Sequence, residues 1–313
     1  MNYGKHETEK KIKSVNSKAK KYTSRVFLAF LKSLFVLCLF CLVVAGSIGF
    51  GMVKGIIDNA PDVDIATIVP NEYATTVYDS AGNVTETLVT AGSNREEASY
   101  DELPKNLINA FVAYEDARFW EHNGIDLRSI MRAVKGVLTG DSSAGGGSTI
   151  TQQLVKNLFK VRSQYSTGLL GHIPGVKLLI MKAKEWVTAV KIEMLYSKEE
   201  ILTMYFNTVD FGSNAFGIKT ACHTYFNTTP DKITVEQAAT LIGLLKATTY
   251  YNPKINPKNS LSRRNVVLGK LYEHHVLNKH QLDSIRKLPT ILKIQAGELL
   301  HWSGTLFPRS HSQ

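Results

Sequence analysis

An all-α domain behind one membrane-spanning helix is the architecture this sequence predicts, and three observations carry it. Ser33 to Val53 is a run of 21 residues without a charge, long enough to cross ~30 Å of hydrocarbon as one helix. From Leu103 onward apolar residues recur at helical spacing and strand patterns are scarce. Residues 101–290 are ample for a single hydrophobic core.

The elements follow in order. Residues 1–25 form a basic tail, with Lys5, Lys10, Lys11, Lys13, Lys18, Lys20, Lys21 and Arg25 against Glu7 and Glu9. The positive-inside rule places this tail in the cytoplasm and everything after the span (26–53) outside, as a single-pass type II protein of the plasma (inner) membrane. Lys32 can snorkel to the inner interface. A cleaved signal peptide is the rival reading, but its apolar stretch would be ~7–15 residues, so the longer run favours a retained anchor. The tail supplies six of the ten net positive charges. The rest of the chain is therefore only mildly basic, which suits a membrane surface or a diphosphate better than nucleic acid.

Residues 54–100 read as a linker and a β-hairpin. Asp58 to Asn71 is polar and contains proline, and Thr75 to Val89 alternates around a turn at Asp79 to Asn83. Residues 101–290 should then hold eight or nine helices, and 291–313 read as an unstructured tail. Cys38 and Cys41 lie in the span and Cys222 stands alone, so neither a disulfide nor a metal-ligand spacing is predicted.

Two stretches carry chemistry. Gly145-Gly-Gly-Ser-Thr-Ile-Thr-Gln-Gln-Leu-Val-Lys-Asn157 joins a glycine run to a helix for which Ser148 or Thr149 is a good N-cap. The positive end of such a helix attracts an anion such as a phosphate. Thr149, Gln152, Gln153, Lys156 and Lys160 are expected to share one polar face, opposite Ile150, Leu154 and Leu158. The Walker A pattern is absent. In the second stretch, Leu107 to Trp120 reads as helix, with Phe111, Val112 and Phe119 around Glu115. A carboxylate on so much apolar surface is suited to proton transfer near neutral pH.

Together these stretches resemble the peptidoglycan glycosyltransferase family (glycosyltransferase family 51), found in monofunctional transglycosylases and at the front of class A penicillin-binding proteins. The likeness continues through Lys182-Ala-Lys-Glu-Trp186, Glu193, Tyr196 to Leu202 and Tyr205-Phe-Asn207. It extends through Phe211-Gly212, Ala215 to Ile218 and Tyr225-Phe226, then Glu236 to Leu241, Lys246-Ala247, Tyr251-Asn-Pro253 and Arg263-Arg264. The resemblance implies a lysozyme-like α fold. It implies polymerisation of lipid II onto a growing glycan strand, with inversion and release of undecaprenyl diphosphate. Glu115 matches the catalytic base and Glu185 the second essential acid, which would position the donor or hold a divalent cation (Mg or Mn). Lys156, Lys182 and Lys184 are candidates to meet the diphosphate, with Ser148, Thr149, Gln152 and Gln153 as further binding groups. Lys177 or Arg162 could stand for a basic residue that the family places before its third motif. Where the family often has Gly-Lys after Tyr-Phe, this chain has Asn227-Thr228, so another cation would have to serve there.

Other residues have blander readings. His122 and Asp126 should shape the loop after the first helix, Glu193 should pack between helices, and Tyr225 and Phe226 should lie in the core. The segment Leu158 to Met181 mixes apolar side chains with Lys and Arg as a membrane-dipping segment would. No Lys-Thr-Gly motif occurs, and Ser17 to Lys20 is a Ser-x-x-Lys in the tail, so no transpeptidase site is read here. A glycan-cleaving enzyme with paired carboxylates is one alternative. An inactive or partner-dependent scaffold of the cell-wall synthesis machinery, with other proteins of that machinery as partners, is the other.

Overall fold

The computed structural model describes residues 4–61, 63, 75–82, 84–88, 95–140, 146–159 and 176–293. Most of the expected linker, the stretch 160–175 of the proposed membrane-dipping segment and most of the tail after 290 lie outside these. The chain divides into two compact units, Met1–Asn59 and Ala60–Gln313.

The first unit is helix α1, Lys5–Asp58. Its stretch Arg25–Asp58 contains an 18-residue window of mean hydropathy 2.7 and is long and apolar enough to cross a membrane. The helix continues past the expected end at Val53. Asn59 stops it, where both the backbone N–H and the side-chain Nδ2 bond the Gly55 carbonyl, satisfying an oxygen the helix end leaves open.

In the second unit, β1 (Thr75–Tyr78) pairs antiparallel with β2 (Val84–Leu88), with a register irregularity between Val77 and Tyr78. Nine α-helices follow among the described residues: α2 Lys105–Glu115, α3 Leu127–Thr139, α4 Ile150–Phe159, α5 Val176–Leu195, α6 Lys198–Thr208, α7 Ile218–Phe226, α8 Val235–Leu244, α9 Pro257–Glu273 and α10 Lys279–Lys287.

Local sequence sets several helix starts. Ser197 with Glu200, Thr234 with Gln237 and Asn278 with Gln281 each form a capping box, opening α6, α8 and α10. The core gathers α2, α8 and α9 on one side and α4, α5 and α6 on the other. Phe111 of α2, fully buried, lies 4.7 Å from the Tyr205 ring and 4.8 Å from that of Phe206. These contacts seat the end of α2 against α6.

The expectation of a helix to Trp120 is corrected: α2 stops at Glu115. Asp116 leaves helical geometry (φ −157°, ψ 72°) because its carboxylate is used elsewhere, accepting the Ile150 N–H at the start of α4 and pairing with His122. Phe119 therefore reaches the core through a turn and not as the helix neighbour of Glu115.

Asp126 caps α3. It accepts from the Arg128 and Ser129 N–H groups and the Ser129 hydroxyl, and it meets Arg118 at 2.6 Å. Burial alone would raise its pKa; the Ser129 bonds and Arg118 outweigh that and hold it at about 2, below the ordinary 3.8. A depressed folded-state pKa means the contribution is complete above about pH 4 and is lost as pH falls toward 2. Asp126→Ala is expected to cost about 1 kcal/mol at pH 7. Urea melts at falling pH should show the gap to the natural chain closing in that window; a gap independent of pH would refute the assignment.

Candidate active site

The N-terminal end of α4 organises the site. Thr149 immediately precedes the helix, accepts the Gln152 N–H at 3.2 Å, and donates its hydroxyl to the Gly124 carbonyl at 2.8 Å. Gln152 Nε2 donates to the same carbonyl at 2.9 Å. Gly124 has φ +82°, and a Cβ there would fall 2.9 Å from the Ala189 backbone on α5, so the turn requires glycine. Thr149 and Gln152 are both only 1% exposed. This corrects the expected polar face: the two fasten a loop to α4 and do not line an open surface. Lys160, the last member of that face, lies outside the described residues.

Gln153 turns the other way. Its Nε2 donates to Glu115 Oε2 at 2.9 Å, and its Oε1 accepts from the Tyr205 hydroxyl at 3.3 Å. Glu115 is the half-buried last residue of α2. Burial, and then the charge on Glu115, push the Tyr205 phenol far above its ordinary range. Tyr205 thus stays a protonated donor at any working pH.

A second cluster forms beside Ser148. Lys182 Nζ donates to Ser148 Oγ at 2.7 Å and to Glu185 Oε2 at 2.6 Å. Lys182 and Glu185 stand three residues apart on α5, where neighbouring turns bring side chains together. Glu185 is 1% exposed, whereas Lys182 is half-buried. The carboxylate therefore reaches the outside through the ammonium it holds. Lys184, expected among the binding cations, is buried, and burial pulls its pKa down. Lys156 is exposed. Both carboxylates, Glu115 through Gln153 and Glu185 through Lys182 and Ser148, are thus tied to the N-terminal end of α4 and the residues just before it.

The supporting shell lies behind these groups. Glu193 accepts from Thr151 of α4 and meets Lys198 at 2.7 Å. Lys198 also donates to the His122 carbonyl and sits 4.3 Å from the Phe119 ring centroid. Sequence reasoning missed Tyr205, Lys198 and the bond that Asp116 accepts from the Ile150 N–H. Tyr205 lay inside a quoted motif, but nothing in its spacing joins it to Glu115. Tyr225 and Phe226 are core residues. Asn227 ends α7 in the left-handed region (φ 47°), a position glycine takes most freely and asparagine next. That is why asparagine can stand where glycine is usual; nothing in the structure explains Thr228.

Among the described residues no three His, Cys, Asp or Glu side chains gather as a metal site. The cluster on α5 offers one carboxylate, already neutralised by Lys182. Elsewhere a cavity of about 200 Å³ is lined by Glu236, Thr240, Arg264, Thr290 and Lys293 among others; neither Glu115 nor Glu185 is part of it.

The family model described as Transglycosylase matches residues 81–272. Penicillin-binding protein 1A/1B of Bacillus subtilis (strain 168) is 38% identical over 262 residues, covering 83% of this chain and 27% of that protein. Penicillin-binding protein 1A of Escherichia coli (strain K12) is 33% identical over 259 residues, 82% of this chain and 28% of that protein. The chain thus spans little more than a quarter of the length of these relatives. The crystal structure of Penicillin-Binding Protein 1A from Haemophilus influenzae superposes at TM-score 0.41 and 19% identity, over 74% of this chain and 24% of that one.

Proposed function

The chain belongs to the transglycosylase family, and from that membership and the two carboxylates joined through α4 we propose that it is a peptidoglycan glycosyltransferase acting on lipid II. The acceptor sugar's 4-hydroxyl oxygen attacks the anomeric carbon of the growing strand. The bond from that carbon to the lipid diphosphate breaks, and the configuration inverts. A hydroxyl is a weak nucleophile, so its proton must pass to a base within hydrogen-bond reach. Glu115 takes this role, with its carboxylate oriented by Gln153. The departing diphosphate gathers negative charge, for which Lys182, beside Ser148, is the candidate cation, with the exposed Lys156 as a second. Glu185 aims Lys182. A divalent cation, as the resemblance implies, would depend on diphosphate oxygens for most of its ligands, because this cluster supplies one carboxylate.

The observation that carries this reading is the convergence of Glu115 and the Ser148–Lys182–Glu185 cluster on one helix end. A glycan-cleaving enzyme has no use for a lysine aimed by a buried acid beside a helix N-terminus, whereas a diphosphate donor does. The test is the detergent-solubilised full chain with fluorescent lipid II and a divalent cation, resolved on a gel. A polymer ladder abolished by moenomycin is the expected result; no polymer from folded protein that still binds moenomycin would favour a scaffold.

The lipid-linked substrate places this chemistry at a membrane, and the second unit offers a surface for it. Leu127, Met131, Val134 and Leu138 of α3 are 49–82% exposed and recur on one helix face. Exposed Arg128, Arg132 and Lys135 flank them. Leu178 and Leu179 at the start of α5 are also exposed. We infer that this face meets a membrane surface, apolar side chains in the bilayer and cations at head-group level. Met131→Glu with Leu138→Glu is expected to lower polymerisation in anionic proteoliposomes by about tenfold, while leaving thermal stability within about 1 kcal/mol, as exposed positions do. Equal rates would place the membrane contact elsewhere.

A further inference from the structure

An ionised carboxylate can only accept hydrogen bonds, so Gln153 must present Nε2 to Glu115, as it does at 2.9 Å. That orientation leaves its Oε1 facing away and in need of a donor. The Tyr205 hydroxyl fills that place at 3.3 Å. Tyr205 is 3% exposed, and its ring is wedged against Phe111 at 4.7 Å and Phe206 at 5.9 Å. The ring cannot swing away, and little solvent reaches the hydroxyl to replace it. A flipped Gln153 would turn its oxygen toward Glu115 and lose the bond from Tyr205 at the same time. The three side chains thus form one directed chain from α6 through α4 to the end of α2.

We propose that Tyr205 is a positioning residue for Glu115, acting through Gln153 to hold the carboxylate aimed. This rests on the reading of Glu115 as the base. Removing the phenol oxygen frees the amide to flip, and the flipped amide repels the ionised carboxylate. Tyr205→Phe keeps the ring packing and removes only the donor. Full-length Tyr205→Phe should lose about fivefold in kcat, the effect of one neutral hydrogen bond, with KM little changed. The acidic limb of its pH–rate profile should move about half a pH unit higher. Gln153→Leu should move the limb the same way, and the double variant no further, because the two act in series. A merely structural tyrosine would lower the melting temperature without moving the limb. An unmoved limb in Tyr205→Phe, or a double variant whose shifts add, overturns the proposal. Should Tyr205→Phe fail to fold, Gln153→Leu decides alone, a shifted limb supporting the chain and an unshifted one refuting it. Glu115→Gln is assayed in parallel. If it still polymerises, the base assignment falls and this inference with it; if it is inactive while the limb stays put in both variants, only this inference falls.

Discussion

Glu115→Gln is expected to cut polymerisation by about 10²–10⁴-fold, the usual contribution of a positioned general base. The change is nearly isosteric. The Gln153 Nε2 that donates to Glu115 Oε2 can donate equally well to an amide oxygen, so the melting temperature should stay where it is. Lipid II binding, read by equilibrium fluorescence, should also persist, because the loss belongs to the chemical step. The full-length variant on fluorescent lipid II decides the point. A variant within about tenfold of the natural rate would remove Glu115 as base. A growing strain rescued by the variant while the purified protein makes no polymer would point to a scaffold.

Lys182→Met is expected to have the second largest effect, and in two currencies. Losing the cation proposed to meet the leaving diphosphate should cost about 10²–10³-fold in rate, as for other single groups that stabilise transition-state charge. The same change leaves the buried Glu185 carboxylate without the ammonium 2.6 Å away. Stripping one partner from a buried pair costs ~3–5 kcal/mol, and less here because Lys182 keeps some exposure; about 2 kcal/mol is expected. Adding Glu185→Gln removes that buried charge. The double variant should therefore recover most of the stability and none of the activity. Recovery of both would mean that Lys182 serves the fold alone, and recovery of neither would mean that Glu185 has a separate structural role.

Local chemistry made much of the fold legible. The uncharged run 33–53 required a long apolar helix, and α1 supplies it. Capping residues such as Ser197, Thr234 and Asn278 sit one residue before their helices, where short polar side chains satisfy N–H groups the helix leaves open. The end of α2 was not legible in this way. Nothing near Glu115 in sequence announces that Asp116 will bond an N–H 34 residues later. Periodicity alone carries the helix onward to Trp120 because it contains no information about such a partner.

The polar residues of the glycine motif teach the same lesson more sharply. Thr149, Gln152 and Gln153 look equivalent on a helical wheel. The fold gives the first two to the Gly124 carbonyl and the third to Glu115. Lys182 and Lys184 also look equivalent, yet one is half-buried at Ser148 and the other lies in the interior.

By itself, the sequence determined the apolar helix, the helical character of the domain, its family and the residue types available for catalysis, because each is written in composition, periodicity or short motifs. Only the tertiary structure decided which of those side chains meet. Hydrogen bonds and ion pairs act over about 3 Å, and such contacts between residues 34–52 positions apart exist only once α2, α4, α5 and α6 are packed together.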